Sequence, residues 1–131
     1  MIRLLIALLL ATPAFAADHL KTGTISTNGN DCTTATACVV LSTVSTSKGT
    51  IAVRGTWTGA DFRFEATTDN TTWSALAATP SNGGSAATGV TTTTLGGGLT
   101  WTWSGAYSQV RVRAGALQSG TIIVTIIATS G

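Results

Sequence analysis

Apolar residues recur at every second position in several stretches of this chain, and a period of two dictates β structure. Between residues 62 and 66, Phe62, Phe64 and Ala66 point one way while Arg63 and Glu65 point the other. Val110 and Val112 alternate in the same manner with Arg111 and Arg113, and Ile51 and Val53 share one face of a strand at 50–57. Leu99, Trp101 and Trp103 share a face at 99–103. Further strands are expected at 21–28, 39–44, 73–77 and 121–128, with a short one inside 90–95. Turn-forming clusters separate them: Asn28-Gly29-Asn30-Asp31, Gly59-Ala60-Asp61, Thr68-Asp69-Asn70-Thr71 and Leu117-Gln118-Ser119-Gly120. No helical periodicity follows residue 16. The pattern predicts an all-β fold, an antiparallel β-sandwich of jelly-roll or Ig-like type with about seven to nine short strands.

The first 16 residues read differently. Arg3 supplies a positive start, residues 4–11 form an apolar run, Pro13 breaks it, and Ala14-Phe15-Ala16 puts small residues at −3 and −1. This is the layout of a cleavable secretory signal. The run is too short for a stable membrane span, which takes about 20 residues. The expected organisation is a signal peptide at 1–16 and one β-sandwich domain at 17–131. The expected location is secreted, periplasmic or cell-surface, or else in a virion.

Composition supports an outside protein. Thr fills 27 of 131 positions while charged residues make up only 9%, against about 25% in typical soluble domains. Thr is β-branched and polar, which suits half-exposed strands. Removing Arg3 with the signal lowers the formal charge from +2 to +1. The cations are dispersed, so no phosphate-tracking surface and no nucleic-acid partner is expected. Cys32 and Cys38 are the only two cysteines. Export and an even count favour a disulfide between them. His19 is the single histidine and falls in the expected N-terminal tail, so no metal site is expected.

No constellation for catalysis stands out. Asp61 and Glu65 are the nearest approach to a glycosidase pair. But Asp61 falls in a turn and Glu65 points outward beside Arg63, so a surface cross-strand ion pair is the reading. A Ser-His-Asp triad would require His19. No glycine-rich loop opens a helix, so no phosphate cofactor is expected, nor any other. The Asn70-Thr71-Thr72 sequon is taken as a chance match.

Two features carry functional expectations. Trp101, Trp103 and Tyr107 are candidates for stacking on sugar rings, with core packing as the competing role; Trp73 is expected in the core. The last strand, residues 121–128, is apolar on both faces: Ile122, Val124 and Ile126 on one, Ile123 and Ile127 on the other. A sandwich strand ordinarily has one wet face. Ile123 and Ile127 therefore form a candidate assembly interface, unless the glycine-rich segment 79–98 folds over them.

Three motifs then resemble a known family. Gly55-Thr56-Trp57-Thr58-Gly59, the run from Phe62 to Trp73, and the run from Tyr107 to Ile127 look like the small β-sandwich domain of tailed-phage virion structural proteins. That family shows a Gly-x-Trp-x-Gly turn, a Phe-x-Phe-Glu strand, an Asp-Gly hairpin before a Trp, and Val-Arg-Val-Arg and Ser-Gly-Thr strands. The resemblance spans residues 50–128. Asn70 stands where the hairpin glycine is usual, and a secretory signal is not a usual virion feature. The resemblance implies a non-enzymatic structural or surface-adhesion module; the two-faced last strand adds the expectation of a homo-oligomer or of other structural proteins as partners. The alternative is a carbohydrate-binding module that meets cell-surface glycan on exposed Trp residues.

Overall fold

The alternating segments form ten strands in a computed structural model that describes residues 19–26, 32, 36–92, 98–116 and 119–130. In chain order they are β1 (His19–Ile25), β2 (Cys38–Ser42), β3 (Lys48–Thr58), β4 (Ala60–Thr67), β5 (Ser74–Ala75), β6 (Thr79–Pro80), β7 (Gly89–Thr92), β8 (Leu99–Ser104), β9 (Gln109–Ala116) and β10 (Ser119–Thr129). Two antiparallel sheets result. Sheet I has the order β1-β10-β3-β8-β6; sheet II has β2-β9-β4-β5, with β7 also paired to β4. The all-β sandwich expected from the period of two is what forms. The strand beyond the expected nine is β6, two residues long. The signal peptide, the Asn28–Asp31 turn and the Leu117-Gln118 start of the last turn lie outside the described residues.

The chain changes sheet at almost every connection, so its consecutive strands mostly face one another across the core. The β4–β5 hairpin is an exception within one sheet. The Gly-x-Trp-x-Gly motif is not a simple turn. Gly55 lies inside β3 with φ 135°, and Trp57 beside it is 1% exposed. The chain crosses between sheets at Gly59, whose φ of 67° is readily adopted without a Cβ.

The core is the set of inward residues that the alternation marks out. Ile51, Val53, Phe62, Phe64, Val110, Val112, Ile122, Val124 and Ile126 are all 1% exposed or less. Trp57 meets Phe62 edge-on at 5.2 Å between ring centroids, and Phe64 meets Trp101 at 5.2 Å across the two sheets. Trp103 lies over Gly49, its partner on β3. A Cβ at Gly49 would run into the Trp103 ring and the Ile127 carbonyl oxygen. The ring sits against bare backbone, and the carbonyl cannot retreat without moving β10. Gly49→Ala is therefore expected to destabilise the fold by about 2 kcal/mol, as overpacked cores do. Urea unfolding of the variant checks this; an unchanged midpoint contradicts the packing described.

Cys32 and Cys38 are joined by a disulfide, with 5.3 Å between their Cα atoms. The bridge ties the approach to β2 onto the outer side of sheet II, where Cys38 pairs with Arg113.

Candidate functional site

The expected glycan-stacking aromatics do not come together. Trp101 pairs with Ile51 and Trp103 with Gly49. Ile51 faces the core, so both rings point inward, and they are 3% and 4% exposed. Rings so enclosed have no face to offer a sugar. Tyr107 is half-buried beyond the end of β8. Its backbone carbonyl accepts the Thr43 hydroxyl at 2.8 Å. Its ring borders a recess of about 320 Å³ with Asp69, Thr72 and Ser74. The next residue, Ser108, donates its hydroxyl to the Thr67 carbonyl at 2.9 Å and is 2.7 Å from Asn70 Oδ1. Tyr107 thus belongs to a corner that stitches two turns together.

Trp73 corrects the opposite expectation: it is outside the core. Ala75 pairs with Glu65, which puts positions 73 and 75 on the outer side of sheet II by the period of two. The preceding turn directs this. Asp69 Oδ1 accepts the backbone N–H groups of Thr71 (2.8 Å) and Thr72 (2.7 Å), and Asn70 adopts φ 63°. These N–H groups, with the Thr67 hydroxyl, hold the Asp69 carboxyl well below the usual carboxylate range. Trp73 then stacks on Arg111, whose guanidinium carbon lies 3.9 Å from the ring centroid.

Under Trp73 lies a cross-strand ionic network between β4 and β9. Glu65 does not pair with Arg63; Arg63 Nη2 instead reaches Asp61 Oδ2 at 3.3 Å. Glu65 Oε1 accepts Arg113 Nε at 2.6 Å and Arg111 Nε at 3.3 Å. Arg111 and Arg113 are each 8% exposed, so this is a nearly enclosed triad rather than a surface pair. Burial alone would raise the Glu65 pKa, but the hydrogen bonds and charges of Arg113 and Arg111 outweigh it and hold it low. A glycosidase acid needs the reverse of the Glu65 shift, a raised carboxyl pKa. Asp61 and Glu65 are each engaged by arginines. His19 is not in a loose tail but opens β1, opposite Ala128. Among the described residues no three His, Cys, Asp or Glu side chains cluster.

The outer side of sheet I is of another kind. Inward from β10 point Ile122, Val124, Ile126 and Ala128, all 0% exposed. Outward point Ile123, Thr125, Ile127 and Thr129, all half-buried. The register lines these up across the sheet. Ile127 stands between Leu20 of β1 and Thr50 of β3; Thr125 stands between Thr22 and Ala52; Ile123 stands between Thr24 and Arg54. Thr100 and Thr102 of β8 continue the rows. Leu20 is 62% exposed. The face is thus threonine-rich, with an apolar spine and only Lys48 and Arg54 as charges on its β3 row. Two shallow recesses indent it. One, of about 200 Å³, lies around Ile127, Thr50 and Thr102. The other, of about 280 Å³, lies around Ile123, Ala52 and Arg54.

The segment 79–98 does not fold over Ile127 in its described part. It supplies β6 to the far edge of sheet I and β7 to sheet II. Only Ser81 and Gly98 reach the rim of the larger recess.

With strand order and faces placed, solved structures supply a comparison. Two prophage proteins share this fold. The SPBc2 prophage-derived protein YomS superposes with a TM-score of 0.59 at 13% identity, over 84% of this chain and 95% of its own. The PBSX exported protein XepA superposes with a TM-score of 0.63 at 14% identity, over 85% of this chain and 38% of its own. The chain therefore spans nearly all of one neighbour and about two fifths of the other. No family model matches the chain, and no curated protein is similar to it in sequence. The likeness to phage β-sandwich domains read from the motifs is borne out as a likeness of fold.

Proposed function

We propose that this chain is a non-enzymatic, exported or virion-surface structural protein that works through contacts on the outer face of sheet I. The observation that carries the reading is β10: a central strand, apolar on its buried side, that also turns Ile123 and Ile127 outward. An apolar spine set in threonine and nearly free of charge is what a protein–protein contact uses, since charged side chains are depleted at interface cores. Residues 1–16 act as the cleaved export signal in this account, and residues 17–131 as the working domain. The fold shared with an exported prophage protein and a prophage-derived protein supports the setting. The two acidic residues nearest to a catalytic pair are bound up with arginines, which supports a role without catalysis.

Adhesion through Trp101 and Trp103 is not part of this reading, because both rings are inside the sandwich. Static and dynamic light scattering of the mature protein over a hundredfold concentration range tests the assembly. A mass that rises above the monomer is expected; a strict monomer at the highest concentration would overturn it.

A further inference from the structure

Arg54 differs from the other arginines of the described chain. Arg63 is paired with Asp61, and Arg111 and Arg113 share Glu65. Asp69 is taken up by its own turn. Every described acid is therefore engaged, and Arg54, which is exposed, has no acidic partner among the described residues. It is placed at the rim of the larger recess on sheet I, opposite Ile123. Gly98 lies beside its stem, where an added Cβ would come within 3.3 Å of the Arg54 Cβ.

The rest of the recess adds two kinds of surface. Ala52 and Ile123 supply apolar carbon beside Arg54. Thr100, Thr125 and Ser81 bring three hydroxyl groups to the same recess. Ser81 is held there by its backbone N–H, which donates to the Thr100 carbonyl at 2.8 Å. The Thr125 hydroxyl lies 3.0 Å from that of Thr22 and keeps further hydrogen-bonding capacity. The volume of about 280 Å³ is at the small end of ligand pockets, which run from about 300 Å³ upward.

We propose that this recess binds a sugar acid, a single pyranose-sized ring bearing a carboxylate. The inference rests on the reading of sheet I's outer face as the working face and names a ligand that takes the Ile123 half of it when that half is not in a protein contact. The guanidinium of Arg54 takes the carboxylate in a two-point fork. The apolar face of the ring lies on Ala52 and Ile123, and its hydroxyls exchange hydrogen bonds with Thr100, Thr125 and Ser81. A neutral sugar leaves Arg54 unanswered, and an acidic peptide side chain leaves the three hydroxyls unanswered.

Amide chemical shifts of ¹⁵N-labelled protein, titrated separately with galacturonate, methyl galactoside and N-acetylglutamate, test this. Galacturonate is expected to give saturable shifts centred on Ala52, Arg54, Ile123 and Thr125. Its affinity should exceed that of methyl galactoside by about tenfold or more, the usual gain from a charged hydrogen bond, and should also exceed that of N-acetylglutamate, which leaves the hydroxyls unanswered. Arg54→Gln should remove that advantage and leave methyl galactoside binding unchanged, with Arg54→Lys in between. Absent shifts, equal binding of N-acetylglutamate, or an Arg54→Gln variant that still prefers galacturonate would each overturn the proposal. Light scattering on the same samples separates the two readings. Assembly without galacturonate binding removes the ligand alone; binding by a strict monomer removes the assembly alone.

Discussion

Val124→Asp is expected to leave the chain unfolded under conditions where the parent protein is fully native. Val124 is 0% exposed and lies between Gly23 of β1 and Val53 of β3, in the middle of β10, an interior strand of sheet I. A carboxylate there has no cation within the core to meet it. It must either remain charged in apolar surroundings or take up a proton, and both cost several kcal/mol. Small domains are stable by only about 5–15 kcal/mol in total. Ile122→Asp is expected to behave in the same way. The same substitution one position along, at Ile123, reaches the outer face and should leave the strand intact. Far-UV circular dichroism distinguishes these outcomes directly. A folded Val124→Asp protein would contradict the assignment of faces on β10.

Glu65→Gln should cost about 3 kcal/mol, the range seen when one partner of an enclosed ion pair is removed. The carboxylate is shared by two guanidiniums that are each 8% exposed. Arg113 also pairs directly with Arg63 across β4 and β9. Without Glu65 three cations crowd one side of sheet II, with Asp61 left to answer them. The effect depends on pH with a definite sign. The folded pKa of Glu65 is lowered from an unfolded value near 4.3. Its contribution is therefore fully present above that unfolded value and is lost as pH falls through the folded one. Asp69, also lowered, adds a slope of the same sign. The parent protein should lose stability between pH 5 and pH 2 more steeply than Glu65→Gln, measured by urea midpoints. Parallel curves would contradict the role given to this carboxylate.

Most of the fold was legible because a period of two survives burial on one side. Phe62, Phe64, Val110 and Val112 alternate with charged neighbours, and the structure buries those four completely. The same rule failed for Trp73, where parity alone misled. An Asx turn at Asp69 sets the register of β5, and only the pairing of Ala75 with Glu65 shows which side Trp73 takes. Trp101 and Trp103 were ambiguous because β8 has no charged residue to mark its wet face. The triad was hidden for a different reason. Arg63 is near Glu65 in sequence, but Arg111 and Arg113 come beside it only through the β4–β9 pairing. Arg54 carried no local signal at all. Its isolation appears only when every other described arginine and acid has been paired.

On the proposed function, Ile123 and Ile127 serve contacts between molecules rather than the fold. Sedimentation velocity on Ile123→Asp and Ile127→Asp, each with its circular dichroism spectrum, tests it most directly. Both variants are expected to keep a native spectrum and to shift from the assembled species to the monomer. Native variants that sediment like the parent protein, or variants that unfold as Val124→Asp does, would contradict it.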